Sequence, residues 1–146
     1  MRRFHFRLER LLEIRAFRER EWLGKLAEAS GHCVRLFRRI TENGTATREA
    51  FHTQVTAGEH LDLHLLSYRE HYLKRLGGEK IKLQKALEDR LRRRAEVQKK
   101  YQEVSRDKKV LERLKEKRQE EYYARARLDE FKNLDDLNSS QFIRKR

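Results

Sequence analysis

Between Phe4 and Ile40 the apolar residues return at steps of mostly three and four: Phe4, Leu8, Leu11, Leu12, then Trp22, Leu23, Leu26, Ala29, Cys33, Leu36, Phe37 and Ile40. That spacing predicts an amphipathic helix with one stripe turned inward. The stripe has a polar gap between Leu12 and Trp22, where Arg15 and Glu19 take the inward positions. Opposite charges four apart pair along a helix, or each faces a charge on an opposing strand. Gly24 and Gly31 cost about 1 kcal/mol each relative to alanine, which a seam of this length tolerates.

A second periodic stretch is longer. From Glu79 to Lys132 there is neither glycine nor proline, and the apolar residues Leu83, Leu87, Leu91, Val97, Tyr101, Val104, Leu111 and Leu114 fall on a narrow stripe of the coiled-coil kind. As a helix this run extends about 80 Å, more than the width of a compact domain of this size. It therefore needs a partner helix. Leu61 to Leu76 carries the same pattern through Leu65, Leu66, Tyr68, Tyr72, Leu73 and Leu76, and Gly77-Gly78 then marks a candidate kink, or costs a continuous helix about 2 kcal/mol.

Two layouts fit the stretch between. Thr41 to Thr47 is the weakest helical segment of the first half, and Asn43-Gly44 reads as a turn; yet Ala46 to Val55 looks helical again, with Phe51 and Val55 four apart. The first helix either ends near Ile40 or runs to about Val55 with reversal around Thr56-Ala57-Gly58. Matched arm lengths favour the later reversal. The expected fold class is all-α, a long antiparallel two-helix coiled coil, or helical hairpin, forming a single domain over residues 1–146. Its helices span about 4–55 and about 61–134, the reversal about 56–60, and the Asn-, Asp- and Ser-rich end from about 135 to 146 is a frayed tail.

Composition sharpens this picture. With 42% charged and 37% hydrophobic residues the chain is too polar for a globule with a sizeable core, and it suits thin helices whose positions mostly face water. Proline is absent, so nothing forces a helix to break. The lone Cys33 forms no intramolecular disulfide, which fits a reducing compartment, and no run approaches the length of a membrane span. The start, Met1 to Arg7, is basic, but charges at Arg7, Glu9, Arg10 and Glu13 interrupt any apolar block of a secretory signal. A formal net charge of +13 points to an anionic partner or surface without choosing among nucleic acid, acidic protein and lipid headgroups.

Candidate chemistry is sparse. No glycine-rich phosphate loop, nucleophile elbow or cysteine pair for zinc is present, so the reading is of a protein that is not an enzyme and holds no cofactor. His60 and His64 share a helical face at four residues' spacing, but no third ligand is fixed beside them, so no metal site is assigned. Cys33, on the seam, reads as a small core residue, and Trp22 with Tyr122-Tyr123 as packing near the open end of the hairpin. Arg90 and Arg92 to Arg94 form a basic cluster continued by Lys99, Lys100, Lys108 and Lys109, yet acids are interleaved throughout and no recognised nucleic-acid module is present. Specific nucleic-acid recognition is not expected.

The opening Phe4-x-Phe6-x-Leu8-x-x-Leu11-Leu12-x-x-Arg15, followed by Glu19 and Leu26-Ala27, resembles the amino-terminal signature of the flagellar export protein family FliJ. Tyr68-x-x-x-Tyr72-Leu73-x-x-Leu76 and Leu128-Asp129-Glu130 extend the resemblance over most of the chain. It implies a noncatalytic stalk of the bacterial flagellar type III export apparatus, similar to the central coiled coil of rotary ATP synthases. Such a protein enters the export ATPase ring, links it to the membrane export gate and escorts export chaperones. It is cytoplasmic and meets the membrane only peripherally, through its partners. Carried over residue by residue, Leu8, Leu12, Arg15, Glu19, Arg125, Asp129 and Glu130 are the expected ATPase contacts, and Tyr72 and Leu76 the gate contacts. Gly77-Gly78 departs from the pattern directly after Leu76, and Asp135-Asp136 places acid where a more basic end is expected. The equivalent stalk of a virulence-type secretion system fits the same motifs, and a basic nucleic-acid-binding coiled coil is the rival from another class.

Salt separates that rival. Fluorescence anisotropy with duplex DNA is expected to show binding at low salt that disappears at physiological ionic strength, whereas nanomolar affinity surviving there would favour the nucleic-acid reading.

Overall fold

The computed structural model describes residues 3–53, 56–57 and 60–144. Helix α1 spans Glu9–His52, strand β1 Thr56–Ala57, strand β2 His60–Leu61 and helix α2 Leu63–Arg144. The two long helices pack against each other as an all-α helical hairpin. Thr56 pairs with Leu61 and Ala57 with His60 in a minimal antiparallel ribbon. Val55 and Gly58, on which the sequence reading of the reversal rests, lie outside the described residues.

Local chemistry sets the helix bounds. Residues 3–6 are not helical, although the apolar pattern extends the first helix back to Phe4. The amide of Glu9 donates to the Phe6 carbonyl at 3.1 Å, forming a turn that delivers the chain into α1, and Glu9 places negative charge in the first helical turn. At the start of α2 the Asp62 carboxylate accepts from the amides of His64 and Leu65 at 2.9 and 3.1 Å, an N-cap that satisfies two otherwise orphaned donors.

Helix α1 continues through Thr41 to Thr47. The hydroxyls of Thr41, Thr45 and Thr47 donate to the carbonyls of Phe37, Thr41 and Asn43, four residues back, at 2.8–3.1 Å. Side chains that would compete with the helix are thereby satisfied inside it. Helix α2 runs through Gly77-Gly78 without interruption. It also passes the expected end near 134 to reach Arg144, because Asn, Asp and Ser cost only a few tenths of a kcal/mol each in a helix with no glycine or proline to stop it.

The chain divides into two compact units, one formed by Met1–Glu21 with Gln102–Arg146, the other by Trp22–Tyr101. In the second unit the covered face of α1 reads Trp22, Leu26, Ala29, Cys33, Leu36, Ile40, Asn43, Thr47 and Ala50, alternating steps of four and three. The facing stripe of α2 is Leu66, Arg69, Leu73, Leu76, Leu83, Leu87, Val97 and Tyr101. Cys33, Ala50, Leu76 and Leu83 are its most deeply buried apolar residues. Leu23, Phe37, Phe51 and Leu91, which the sequence pattern places on or beside the seam, are exposed. They fall one position out of phase with the three-four alternation, and a helix face has room for only one such stripe.

Asn43 is buried in that seam, and its Nδ2 donates to the backbone carbonyl of Leu76 at 3.0 Å; its Oδ1 has no partner among the described residues. A buried amide that finds one partner at one place penalises every other register, because slippage would strand it. Arg39 reaches Glu79 at 3.4 Å, one turn away. Partners rise along α1 as they fall along α2, so the helices of this unit are antiparallel.

A Cβ built on Gly77 or Gly78 meets nothing within 4 Å. Replacing both by alanine is expected to raise stability by about 0.5–1 kcal/mol per site, read as a higher urea midpoint with an unchanged m-value.

Candidate partner-binding site

In the first unit Phe6 is buried while Phe4 packs on Tyr122 with ring centroids 5.6 Å apart, and Tyr122 meets Tyr123 edge to face at 5.6 Å. Phe4, Phe6 and Tyr122 border a cleft of about 620 Å³, which Leu8, Leu114, Arg118, Glu121 and Arg125 also line. Two of the residues singled out by sequence, Leu8 and Arg125, thus meet at one surface although they lie at opposite ends of the chain. Leu12 is half-buried on the inner face of α1, and Asp129 and Glu130 are exposed on α2 beyond the cleft.

Arg15 and Glu19 each face a charge on the other helix, not one another. Arg15 forms an ion pair with Asp107, and Glu19 accepts from the Lys108 ammonium at 2.7 Å. Lys108 also reaches Glu112 at 3.3 Å, and Lys115 reaches Glu9 at 2.7 Å. Only 16% of the Glu19 side chain and 25% of the Lys108 side chain are exposed, so this pair closes the polar gap of the seam and leaves little of either group for a partner. The Lys108 ammonium holds the Glu19 carboxyl below its ordinary value, against the opposing effect of desolvation and with help from Ser105. Glu19, then Glu112, in turn hold Lys108 above its ordinary value. Sequence reasoning missed Asp107 and Lys115 and placed Lys108 only in the basic cluster; continuing the steps Val97, Tyr101, Val104 to 108, 111 and 115 brings both lysines onto the inner face.

In the second unit Tyr72 is half-buried, with the Arg75 guanidinium 5.1 Å from its ring centroid. It lines a shallow cleft of about 420 Å³ with Ala46, Glu49, Leu65, Tyr68 and Arg69. Leu76 does not share this exposure. Its side chain is 6% exposed and sits in the seam, where its carbonyl receives Asn43. Trp22 lines a separate cleft of this unit and does not accompany Tyr122.

His60 lies on β2 and His64 in α2, so the two do not share the helical face that common metal ligation would need. No cluster of three potential metal ligands occurs among the described residues. Cys33 is 2% exposed. Among the described residues, no helix is long and apolar enough to cross a membrane.

These open clefts lie on an all-α helical hairpin, and that fold is the class to which the chain belongs. Residues 4–146 match the family described as Flagellar FliJ protein, and the chain belongs to that family. It is accordingly a component of the flagellar export apparatus. No curated protein and no solved structure matches it.

The depressed Glu19 carboxyl contributes stability that is present above its unfolded value of 4.5 and lost as pH falls through the lower folded value. The raised Lys108 contributes below 10.5 and loses its effect as pH rises through its folded value. Glu19→Gln is expected to lower the urea midpoint at pH 7 and to flatten its fall on acidification. An unchanged acid limb would remove Glu19 as its cause.

Proposed function

We propose that the chain is a noncatalytic stalk and coupling factor of the flagellar type III export apparatus, working in the cytoplasm at the base of the flagellum. It inserts into the export ATPase ring, links that ring to the membrane export gate and escorts export chaperones, and it associates with the membrane peripherally through these partners. The observation that carries this reading is the family match over residues 4–146. A paired-helix architecture supports it, because a stalk inside a ring makes contact around its circumference and needs no pocket for a substrate.

The two ends of the chain form the ATPase contact. Leu8 and Arg125 supply an apolar and a cationic group at one cleft, and exposed Asp129 and Glu130 add acids farther along α2. Leu12, Arg15 and Glu19 act beneath this surface by holding the two helices in register. The gate contact is made through Tyr72 at its shallow cleft, while Leu76 anchors the seam under it.

Purified protein is expected to hydrolyse no ATP and to promote assembly or turnover of the cognate ATPase. Leu8→Asp combined with Arg125→Glu should weaken ATPase binding at least about tenfold in a titration while sparing gate binding. Tyr72→Ala should do the reverse. Failure of the unaltered chain to bind the cognate ATPase under any condition would sink the proposal.

A further inference from the structure

The covered stripe of α2 is interrupted between Leu87 and Val97, and every residue from 88 to 96 is exposed. The three-four alternation that passes through Leu83, Leu87, Val97 and Tyr101 puts Arg90 and Arg94 at the two positions in the gap. Leu91, which would have filled it, is out of phase and 37% exposed. The seam is therefore left open over about 13 Å, between two and three helical turns.

What the gap exposes is a cleft of about 430 Å³ in the Trp22–Tyr101 unit. Trp22, Ala29 and Val97 give it an apolar floor, and Lys25, Arg90 and Arg93 give it a cationic rim. The Lys25 ammonium lies 4.4 Å from the centre of the Trp22 ring. Glu28 is the acid among the lining residues and lies 3.8 Å from His32. Arg92 is tied to Glu88 at 2.6 Å, but Arg90, Arg93 and Arg94 form no ion pair among the described residues.

We propose that this cleft docks an acidic amphipathic helix of a partner protein, which lays apolar side chains on Trp22, Ala29 and Val97 and carboxylates on Arg90 and Arg93. The exposed seam positions at Arg90 and Arg94 favour a helix, since they continue a period into which helical knobs fit. Charge selects which helix. A second copy of this chain carries +13 itself and is repelled from a cationic rim. A nucleic-acid backbone has no aliphatic side chains to lay on the floor of Trp22, Ala29 and Val97. An acidic helix satisfies both halves of the cleft. This surface is independent of the ATPase and gate contacts and does not rest on them.

Trp22 is the protein's one tryptophan, so its emission reports on the cleft directly. The full chain is titrated at physiological salt with a synthetic three-heptad peptide carrying leucine at a and d and glutamate at e and g. Saturable binding with a shift in Trp22 emission is expected, weakened at least about tenfold by Arg90→Glu with Arg93→Glu and less by the corresponding glutamine pair. Circular dichroism of each variant confirms that both helices persist. Unchanged affinity in the charge-reversed variant, equal binding of a peptide with serine in place of leucine, or tighter binding of single-stranded DNA would each overturn the proposal. So would a Trp22 signal that tracks self-association of the chain in sedimentation and not added peptide.

Discussion

The hairpin depends on one constraint: each long helix has only a narrow stripe that water does not favour, and that stripe can be buried only against another helix. Both helices are otherwise charged around their circumference, so neither has a second face on which to fold. Cys33, Leu76 and Leu83 are deeply buried because each contributes to a seam built from both helices, though they lie far apart in sequence. The two-residue strands around the reversal complete the return of the chain without adding a core of their own.

Burial alone would leave the register loose, since one leucine stripe slides along another at modest cost. Polar groups placed on the seam remove that freedom. Within the Trp22–Tyr101 unit Asn43 finds the Leu76 carbonyl, and within the other unit Arg15, Glu19 and Glu9 find Asp107, Lys108 and Lys115. Such pairs add modestly to stability, because desolvation offsets much of the attraction. Their larger effect is selective: any shifted alignment leaves half-buried charges without partners.

The same packing decides what remains for binding. Arg15 and Glu19, conspicuous as charges on an apolar stripe, are largely occupied by cross-helix pairing, and Leu76 by the seam. Leu8, Arg125 and Tyr72 are left at open clefts. A surface for partners is thus defined less by which residues stand out in the sequence than by which the hairpin does not use. The open stretch at Arg90 to Arg94 belongs to this remainder, as a place where the seam period continues and its apolar content does not.

The sequence by itself determined that two long helices form, and the family. Absence of proline and apolar steps of three and four act within a turn or two, so they are legible without knowing what lies opposite. The motifs around Phe4, Tyr72 and Asp129 are likewise local strings. Only the tertiary structure decided phase and pairing: Arg90 and Arg94 in place of Leu91 on the seam, Phe37 and Phe51 outside it, Asp107 and Lys108 as the partners of Arg15 and Glu19. An isolated helix of 3.6 residues per turn drifts relative to a repeat of 3.5, so a leucine one step out of phase looks equally well placed from sequence. The opposing helix settles the matter, because its own stripe admits one line of side chains and leaves the neighbouring one in water.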